Sequence, residues 1–152
     1  MEVITHSTEE THALAAKVAQ QLKLGMVLSL VGDLGAGKTT FTQGLGKALG
    51  IKRLIKSPTY TLVKEYPLFD GNLLHIDAYR LEDGGAMDLD LPSLMQPDTI
   101  TVIEWAEFIQ EDIPQDYLEI YISMQASGDR QISFRAVGDK PIYQKMIHQL
   151  SR

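Results

Sequence analysis

Gly32-Asp33-Leu34-Gly35-Ala36-Gly37-Lys38-Thr39 is the stretch of sequence that decides the fold of this chain. It satisfies the pattern G-x-x-x-x-G-K-[ST], in which glycines let successive backbone N–H groups converge on one anion without Cβ clashes. The lysine is a point charge for the outer phosphates of a nucleoside triphosphate, and the threonine hydroxyl is a hard oxygen ligand suited to Mg²⁺. The motif predicts a phosphate-binding P-loop.

The segments on either side of this loop support that interpretation. Residues 26–31 are a short apolar run, typical of a strand buried on both faces. Residues 38–49 are predicted to form a helix that Gly50 ends, and its N-terminus would direct N–H groups and a positive dipole end at the phosphates. We therefore expect the nucleotide to contact Asp33, Leu34, Gly35, Ala36, Gly37, Lys38, Thr39 and Thr40.

The remaining pattern predicts alternating helices and strands. A helix over residues 8–23 has Ser7 as N-cap and Glu10 in a capping box, and Gly25 ends it. A hairpin turn at residues 70–72 joins strands 61–66 and 73–79, and residues 83–95 suggest a short helix and a loop. Further strands (99–104, 117–124 and 131–137) and helices (106–110 and 141–150) follow. We expect one P-loop ATPase domain over residues 1–152, an α/β three-layer P-loop NTPase-like fold with a mixed, mainly parallel sheet and flanking helices.

Composition narrows the class of protein. The 152 residues include no cysteine, which excludes disulfides and cysteine metal sites. No apolar run approaches the roughly 20 residues of a membrane span, and the first residues lack signal-peptide features, so we expect a cytoplasmic protein. The formal charge of −6 predicts little or no direct binding of nucleic acid by the chain alone. The basic cluster Lys47, Lys52, Arg53 and Lys56 is interpreted as a solvated surface.

Two carboxylates are candidates for the chemistry opposite the loop. Asp77 and Glu104 each follow an apolar strand, where a carboxylate is costly unless it is paired or binds metal. We expect catalytic roles for Asp77 and Glu104 beside Lys38. The only asparagine, Asn72, is followed by leucine, so the Asn-Lys-x-Asp segment of guanine recognition is missing, and ATP with Mg²⁺ is favoured by exclusion.

Four motifs in this order resemble the TsaE (YjeE) family, the P-loop ATPase component of bacterial tRNA threonylcarbamoyladenosine biosynthesis. The resemblance covers nearly the whole chain. Besides the loop with Thr40, it rests on the segments 57–60 (Ser-Pro-Thr-Tyr), 75–80 (His-Ile-Asp-Ala-Tyr-Arg) and 103–105 (Ile-Glu-Trp). Residues 81–92 depart from the family pattern because Gly84 and Gly85 weaken the expected helix.

The resemblance implies roles for individual residues. Thr39 and Glu104 would be the Mg²⁺ ligands, and Asp77 is similar to the family's essential aspartate. Trp105 would lie beside the nucleotide, with a role as a packing residue as the alternative. Residues 57–59 would be a switch loop that senses the γ-phosphate. Arg130 and Ser7 would approach the nucleotide, although Ser7 is also a helix cap, and His75 is as compatible with a structural role as with an active one.

The mechanism implied is a slow ATP-driven switch that acts with TsaD-like and TsaB-like subunits of the tRNA-modifying complex. Two other hypotheses for the function remain open. A small-molecule P-loop kinase would need a second substrate pocket and a lid, and a nucleotide-dependent adaptor would bind ATP without hydrolysing it.

Overall fold

The structure, a computed structural model, describes residues 1–33, 35–56, 63–79 and 90–152. Its helices are α1 (Thr8–Gln21), α2 (Lys38–Ala48), α3 (Leu91–Leu94) and α4 (Pro141–Leu150), with a 3₁₀ turn at Ala106–Ile109. Its strands are β1 (Glu2–Thr5), β2 (Val27–Val31), β3 (Val63–Pro67), β4 (Asn72–Asp77), β5 (Thr99–Glu104), β6 (Tyr117–Met124) and β7 (Arg130–Val137).

The described strands form one seven-stranded sheet in the order β1-β7-β6-β2-β5-β4-β3. Strand β2 lies between β6 and β5 and is parallel to both, and β5 is parallel to β4. The pairs towards the two edges, β1–β7, β7–β6 and β4–β3, are antiparallel. The predicted mixed α/β sheet with flanking helices is confirmed, and three of its six described strand pairs, those at the centre, are parallel.

The two faces of the sheet are covered unequally. On one face, α1, α2 and α4 bury side chains such as Leu14, Phe41 and Met146 against β2, β6 and β7. On the other face, α3 and the 3₁₀ turn pack Leu91 and Ile109 on β4 and β5. Alternate residues of the central strands supply both cores, which is why these strands read as continuous apolar runs.

The helix ends differ slightly from the sequence prediction. Helix α1 ends at Gln21 and not at residue 23, because Leu22 already has extended backbone angles (φ −72°, ψ 138°). Gly25, predicted to end this helix, lies instead in the turn that leads into β2, where the Met26 N–H donates to the Lys23 carbonyl. Gly50 does follow the cap of α2 with φ +91°, as expected.

Strand β1 is absent from the sequence prediction. It has only four residues, with burial that alternates weakly, and its pairing partner β7 lies more than 120 positions away along the chain. Such a short edge strand is defined by non-local hydrogen bonds and not by its own pattern. Within the described residues, no helix is both long and apolar enough to cross a membrane.

Candidate nucleotide site

The site residues meet because three parallel strands end at the same edge of the sheet. The loop from Gly32 follows β2, Glu104 ends β5 and Asp77 ends β4. The register pairs Leu30 with Glu104 and Glu104 with Asp77, so the Glu104 backbone lies between the other two strands. Ligands of open α/β sheets bind at this carboxyl edge.

Two positions of the loop favour glycine, one because of close packing and the other because of its backbone angle. A Cβ on Gly32 would lie 2.3 Å from the carbonyl oxygen of Ile122. This distance is too short for any side chain, so the position requires glycine. Gly37 has φ +116° and precedes α2 without a side-chain cap. Within the described residues, the first N–H groups of α2 have no capping side chain, an arrangement that suits an anion.

Lys38 is the buried positive charge of the site, with 6% of its surface exposed. Its Nζ donates to the Gly32 carbonyl at 2.8 Å and lies 3.8 Å from Oε1 of Glu104. The same nitrogen lies 4.4 Å from the centre of the Trp105 ring. The lysine therefore connects the loop, the end of β5 and the residue after it.

Glu104 is a buried carboxylate with two polar neighbours. Its Oε2 lies 2.8 Å from Nε2 of His75, and its Oε1 faces Lys38. His75 is paired in register with Val102, so Glu104 is its diagonal neighbour on the same face, within reach of a long side chain. Ion pairing and hydrogen bonding together reduce the cost of burying this charge.

Asp77 lies beside Glu104 in register and is 5% exposed. One of its oxygens, Oδ1, accepts the Tyr79 N–H at 3.0 Å, a local turn that closes the end of β4. The two acidic candidates from the sequence are thus neighbours at the edge where the loop begins.

Trp105 has an unusual backbone. It is the non-glycine residue with positive φ in the described part of the chain, at φ 61° and ψ 44°. Such a conformation costs about 1–2 kcal/mol for an ordinary residue. The centre of its ring lies 5.1 Å from the ring centre of Tyr79 and 6.2 Å from that of Phe108. These aromatic contacts and the contact with Lys38 stabilise the strained turn.

A cleft of about 200 Å³ adjoins the loop at Gly37 and Thr40. It lies between the start of α1, the start of α2 and the β6–β7 turn, and it is lined by Thr5, His6, Ser7, Thr8, Thr11, Gly37, Thr40, Gly128 and Arg130. Ser7 is also the α1 cap, since its Oγ accepts the Glu10 N–H at 3.1 Å. Asp33 lines a smaller depression with Lys38 and Trp105.

A hydrogen bond between side chains joins the two walls of this cleft. Nδ1 of His6 lies 3.1 Å from Oδ1 of Asp129. The hydrogen bond from His6, with one from the Ser127 hydroxyl, holds the pKa of Asp129 below its usual value. The pair links the segment before α1 to the β6–β7 turn.

The oxygen donors at the loop suit Mg²⁺ that is bound together with phosphates. The described residues contain no cluster of three or more His, Cys, Asp or Glu side chains that could enclose a metal by itself. Mg²⁺ usually takes one or two protein oxygens and completes its shell with water and phosphate oxygens. The Thr39 hydroxyl, on the first turn of α2, and the Glu104 carboxylate are donors of that kind.

Most of the residues singled out from the sequence come together around this edge. Lys38 contacts Glu104 and Trp105, Asp77 adjoins Glu104, and Ser7, Thr40 and Arg130 line the cleft that Gly37 also lines. Gly35 has φ +80°, and Ala36 is buried in the core. Leu34, residues 57–60, Arg80 and residues 81–89 lie outside the described residues.

Sequence reasoning missed the contacts made by histidines. His6 and its partner Asp129 are far apart in the chain, and only the tertiary fold brings them together. The bond between His75 and Glu104 had a weak signal, since a histidine stands inside an apolar strand two residues before Asp77.

Comparison with known proteins gives a consistent result. The family model described as threonylcarbamoyl adenosine biosynthesis protein TsaE matches residues 5–132. The tRNA threonylcarbamoyladenosine biosynthesis protein TsaE of Bacillus subtilis is 45% identical over 150 residues, covering 97% of this chain and 92% of that protein. The protein of the same name from Aquifex aeolicus is 45% identical over 124 residues, covering 80% and 86%. The crystal structure of Bacillus subtilis YdiB aligns with a TM-score of 0.86 at 39% identity, covering 100% of this chain and 94% of that one.

Proposed function

Because this chain belongs to the TsaE family of tRNA threonylcarbamoyladenosine biosynthesis proteins, we propose that it serves that pathway as a switch that binds and slowly hydrolyses ATP. The observation that carries the proposal is the convergence of Lys38, Glu104 and Asp77 where the loop leaves β2. A cation at the phosphates and carboxylates opposite them are the parts that phosphoryl transfer to water needs.

Lys38 and the loop amides bind the triphosphate in this proposal. The ammonium group exchanges its contacts with the Gly32 carbonyl and Glu104 for the outer phosphate oxygens, which carry a charge that the Gly32 carbonyl lacks. The N–H groups at the start of α2 donate to the same phosphates.

Thr39 and Glu104 hold the Mg²⁺ that accompanies ATP. When bound, the metal neutralises charge that develops on the phosphate oxygens. Asp77, next to Glu104 in register, orients the attacking water as a hydrogen-bond acceptor. The loop amides and Lys38 keep the phosphate in line for that water.

The cleft beside Gly37 takes the nucleoside. Its hydroxyl-rich walls, with Ser7 and Thr40, and the guanidinium of Arg130 offer donors and acceptors to a base and a ribose. The absence of the guanine-recognition segment from the sequence favours adenine. Leu34 belongs to the proposed phosphate site by its place in the motif.

The wider setting is also proposed. A single P-loop ATPase domain over residues 1–152 acts in the cytoplasm with TsaD-like and TsaB-like subunits, which read the nucleotide state. Little or no direct binding of nucleic acid by this chain alone is expected, in keeping with its charge of −6. The switch role assigned to residues 57–59 rests on the sequence resemblance.

Titration calorimetry tests the proposal. The chain is titrated with Mg-ATP, Mg-ADP and Mg-GTP, and we expect adenine nucleotides to bind. Lys38→Ala should weaken binding by roughly tenfold to a hundredfold, since a hydrogen bond to a charged group contributes about 1.5–3 kcal/mol. Lys47→Ala, exposed on the same helix, is the matched control and should bind like the parent.

Two results would overturn the proposal. One is a folded parent chain that takes up none of the three nucleotides. The other is a Lys38→Ala variant whose affinity for Mg-ATP equals that of the parent.

A further inference from the structure

His75 is a buried polar side chain that the proposed mechanism has not used. It stands inside β4 with an exposed fraction of 0%, between the apolar residues Leu74 and Ile76. A buried imidazole is unfavourable unless its polar atoms find partners, and an apolar side chain would pack the same space without that cost. We therefore ask which neighbouring group uses the hydrogen bond that this imidazole can make.

Only one of its two nitrogens has a partner within the described residues. Nε2 lies 2.8 Å from Oε2 of Glu104, whereas Nδ1 is buried with no hydrogen-bond partner there. An ionised carboxylate can only accept, so Nε2 carries the hydrogen and donates it. The polar capacity of His75 is thus directed at Glu104.

This hydrogen bond makes the two carboxylate oxygens of Glu104 different from each other. Oε2 is occupied by His75, and Oε1 is the oxygen on the side of Lys38 and the loop. A glutamate has three rotatable bonds, and an anchored Oε2 limits the positions of Oε1. A ligand oxygen that is already oriented loses less freedom when it binds a cation.

We propose that His75 is a positioning residue that holds Glu104 so that Oε1 faces the Mg²⁺ bound with the triphosphate. This inference rests on the proposed function, because it takes Glu104 as a metal ligand. Hydrogen-bonding partners of metal ligands typically contribute tenfold to a hundredfold in metal affinity. His75 acts through Glu104 and does not contact the nucleotide.

The experiment separates metal binding from nucleotide binding. The affinity of the non-hydrolysable analogue AMP-PNP is measured by calorimetry in EDTA and at increasing Mg²⁺ concentrations. We expect His75→Leu to raise the Mg²⁺ concentration for half-maximal enhancement by about tenfold to a hundredfold. Its affinity for AMP-PNP in EDTA should equal that of the parent.

Two amide variants supply a matched comparison. The Gln side chain places a nitrogen where Nε2 of His75 lies, whereas the shorter Asn side chain does not reach Glu104. His75→Gln should therefore keep the parent's Mg²⁺ dependence, and His75→Asn should behave like His75→Leu. Because both replacements are polar amides, this pair decides the question even if His75→Leu does not fold.

The outcomes distinguish this inference from the proposed function. Glu104→Gln is measured in parallel, and its loss of Mg²⁺ dependence is what the proposed function requires. If Glu104→Gln keeps the parent's dependence, the metal site itself is wrong. If Glu104→Gln loses it while the His75 variants do not, or if His75→Gln and His75→Asn are equally impaired, the positioning role alone is wrong.

Discussion

The ammonium group of Lys38 makes three contacts of different kinds among the described residues. It contacts the loop carbonyl of Gly32, the carboxylate of Glu104 and the ring of Trp105. An arginine at this position would present a planar fork in place of a compact point charge, which is a different fit to a phosphate held by backbone amides. The motif alone predicted the lysine's role, but its contacts with Glu104 and Trp105 depend on the ends of two distant elements.

Tyr143 links α4 to the strand that leads into the loop. Its hydroxyl oxygen accepts the Val27 N–H at 2.9 Å. Tyr143→Phe leaves that buried donor without its partner, and we expect a loss of about 1–3 kcal/mol in the free energy of unfolding at neutral pH. Urea unfolding measures it, with Tyr121→Phe, an exposed tyrosine, as the control.

The loss from Tyr143→Phe should shrink at alkaline pH. Burial raises the pKa of Tyr143 above its ordinary value of 10.0. Above about pH 10 the unfolded chain releases this proton while the folded chain keeps it, so the parent loses stability as the pH rises through that range. The phenylalanine variant has no such proton to release, so the free energies of unfolding of the two proteins should become more similar as the pH rises. An unchanged difference at pH 7 and at about pH 10.5 would contradict the assignment.

At the scale of elements, the sequence predicted well what is local. The strands Thr99–Glu104 and Tyr117–Met124 and the helix Pro141–Leu150 have the expected bounds, because buried runs, periodicity and an N-terminal proline are encoded within each segment. Strand β1 and the His6–Asp129 pair were missed because they depend on partners near the other end of the chain. The sequence singled out Asp77 and Glu104 as candidates because they stand at the ends of apolar strands, but only the sheet shows that they are neighbours in register.

The packing of α1 on α2 depends on Gly44. A Cβ at Gly44 would lie 2.8 Å from Cβ of Ala15 and 3.0 Å from Cα of His12. Gly44→Ala gains about 1 kcal/mol of helix propensity, but one of the close atoms belongs to backbone, so the helices must separate at a cost of about 1–3 kcal/mol. We expect thermal unfolding to show a net loss of stability.

Lys47→Ala is the control for Gly44→Ala, since it places alanine at an exposed position of the same helix. It should leave the unfolding temperature nearly unchanged. A Gly44→Ala protein more stable than its parent would show that the two helices can separate without loss.

At the scale of the whole molecule, the proposed switch should work slowly alone. We expect the isolated chain to hydrolyse ATP at about 10⁻⁴ to 10⁻² per second, typical of P-loop proteins before a partner completes the site. TsaD-like and TsaB-like subunits should raise the rate, and Asp77→Ala should abolish the rise. Phosphate release from radiolabelled ATP, with and without the subunits, measures both effects.

Rapid hydrolysis by the chain alone, at tens per second, would contradict the switch. Asp77→Ala that binds ATP and still supports tRNA modification would instead indicate an adaptor that does not need hydrolysis. From the formal charge of −6 we expect little direct binding of tRNA by the chain alone, so any RNA-dependent effect should require the subunits.

The left-handed turn at Trp105 has a practical consequence for spectroscopy. The indole is the chain's single tryptophan, and one of its supports is the ammonium group that the proposed function moves to the phosphates. Withdrawal of a cation from its ring alters the emission of an indole. We therefore expect the emission of Trp105 to report nucleotide binding in real time, without a dye or a labelled ligand.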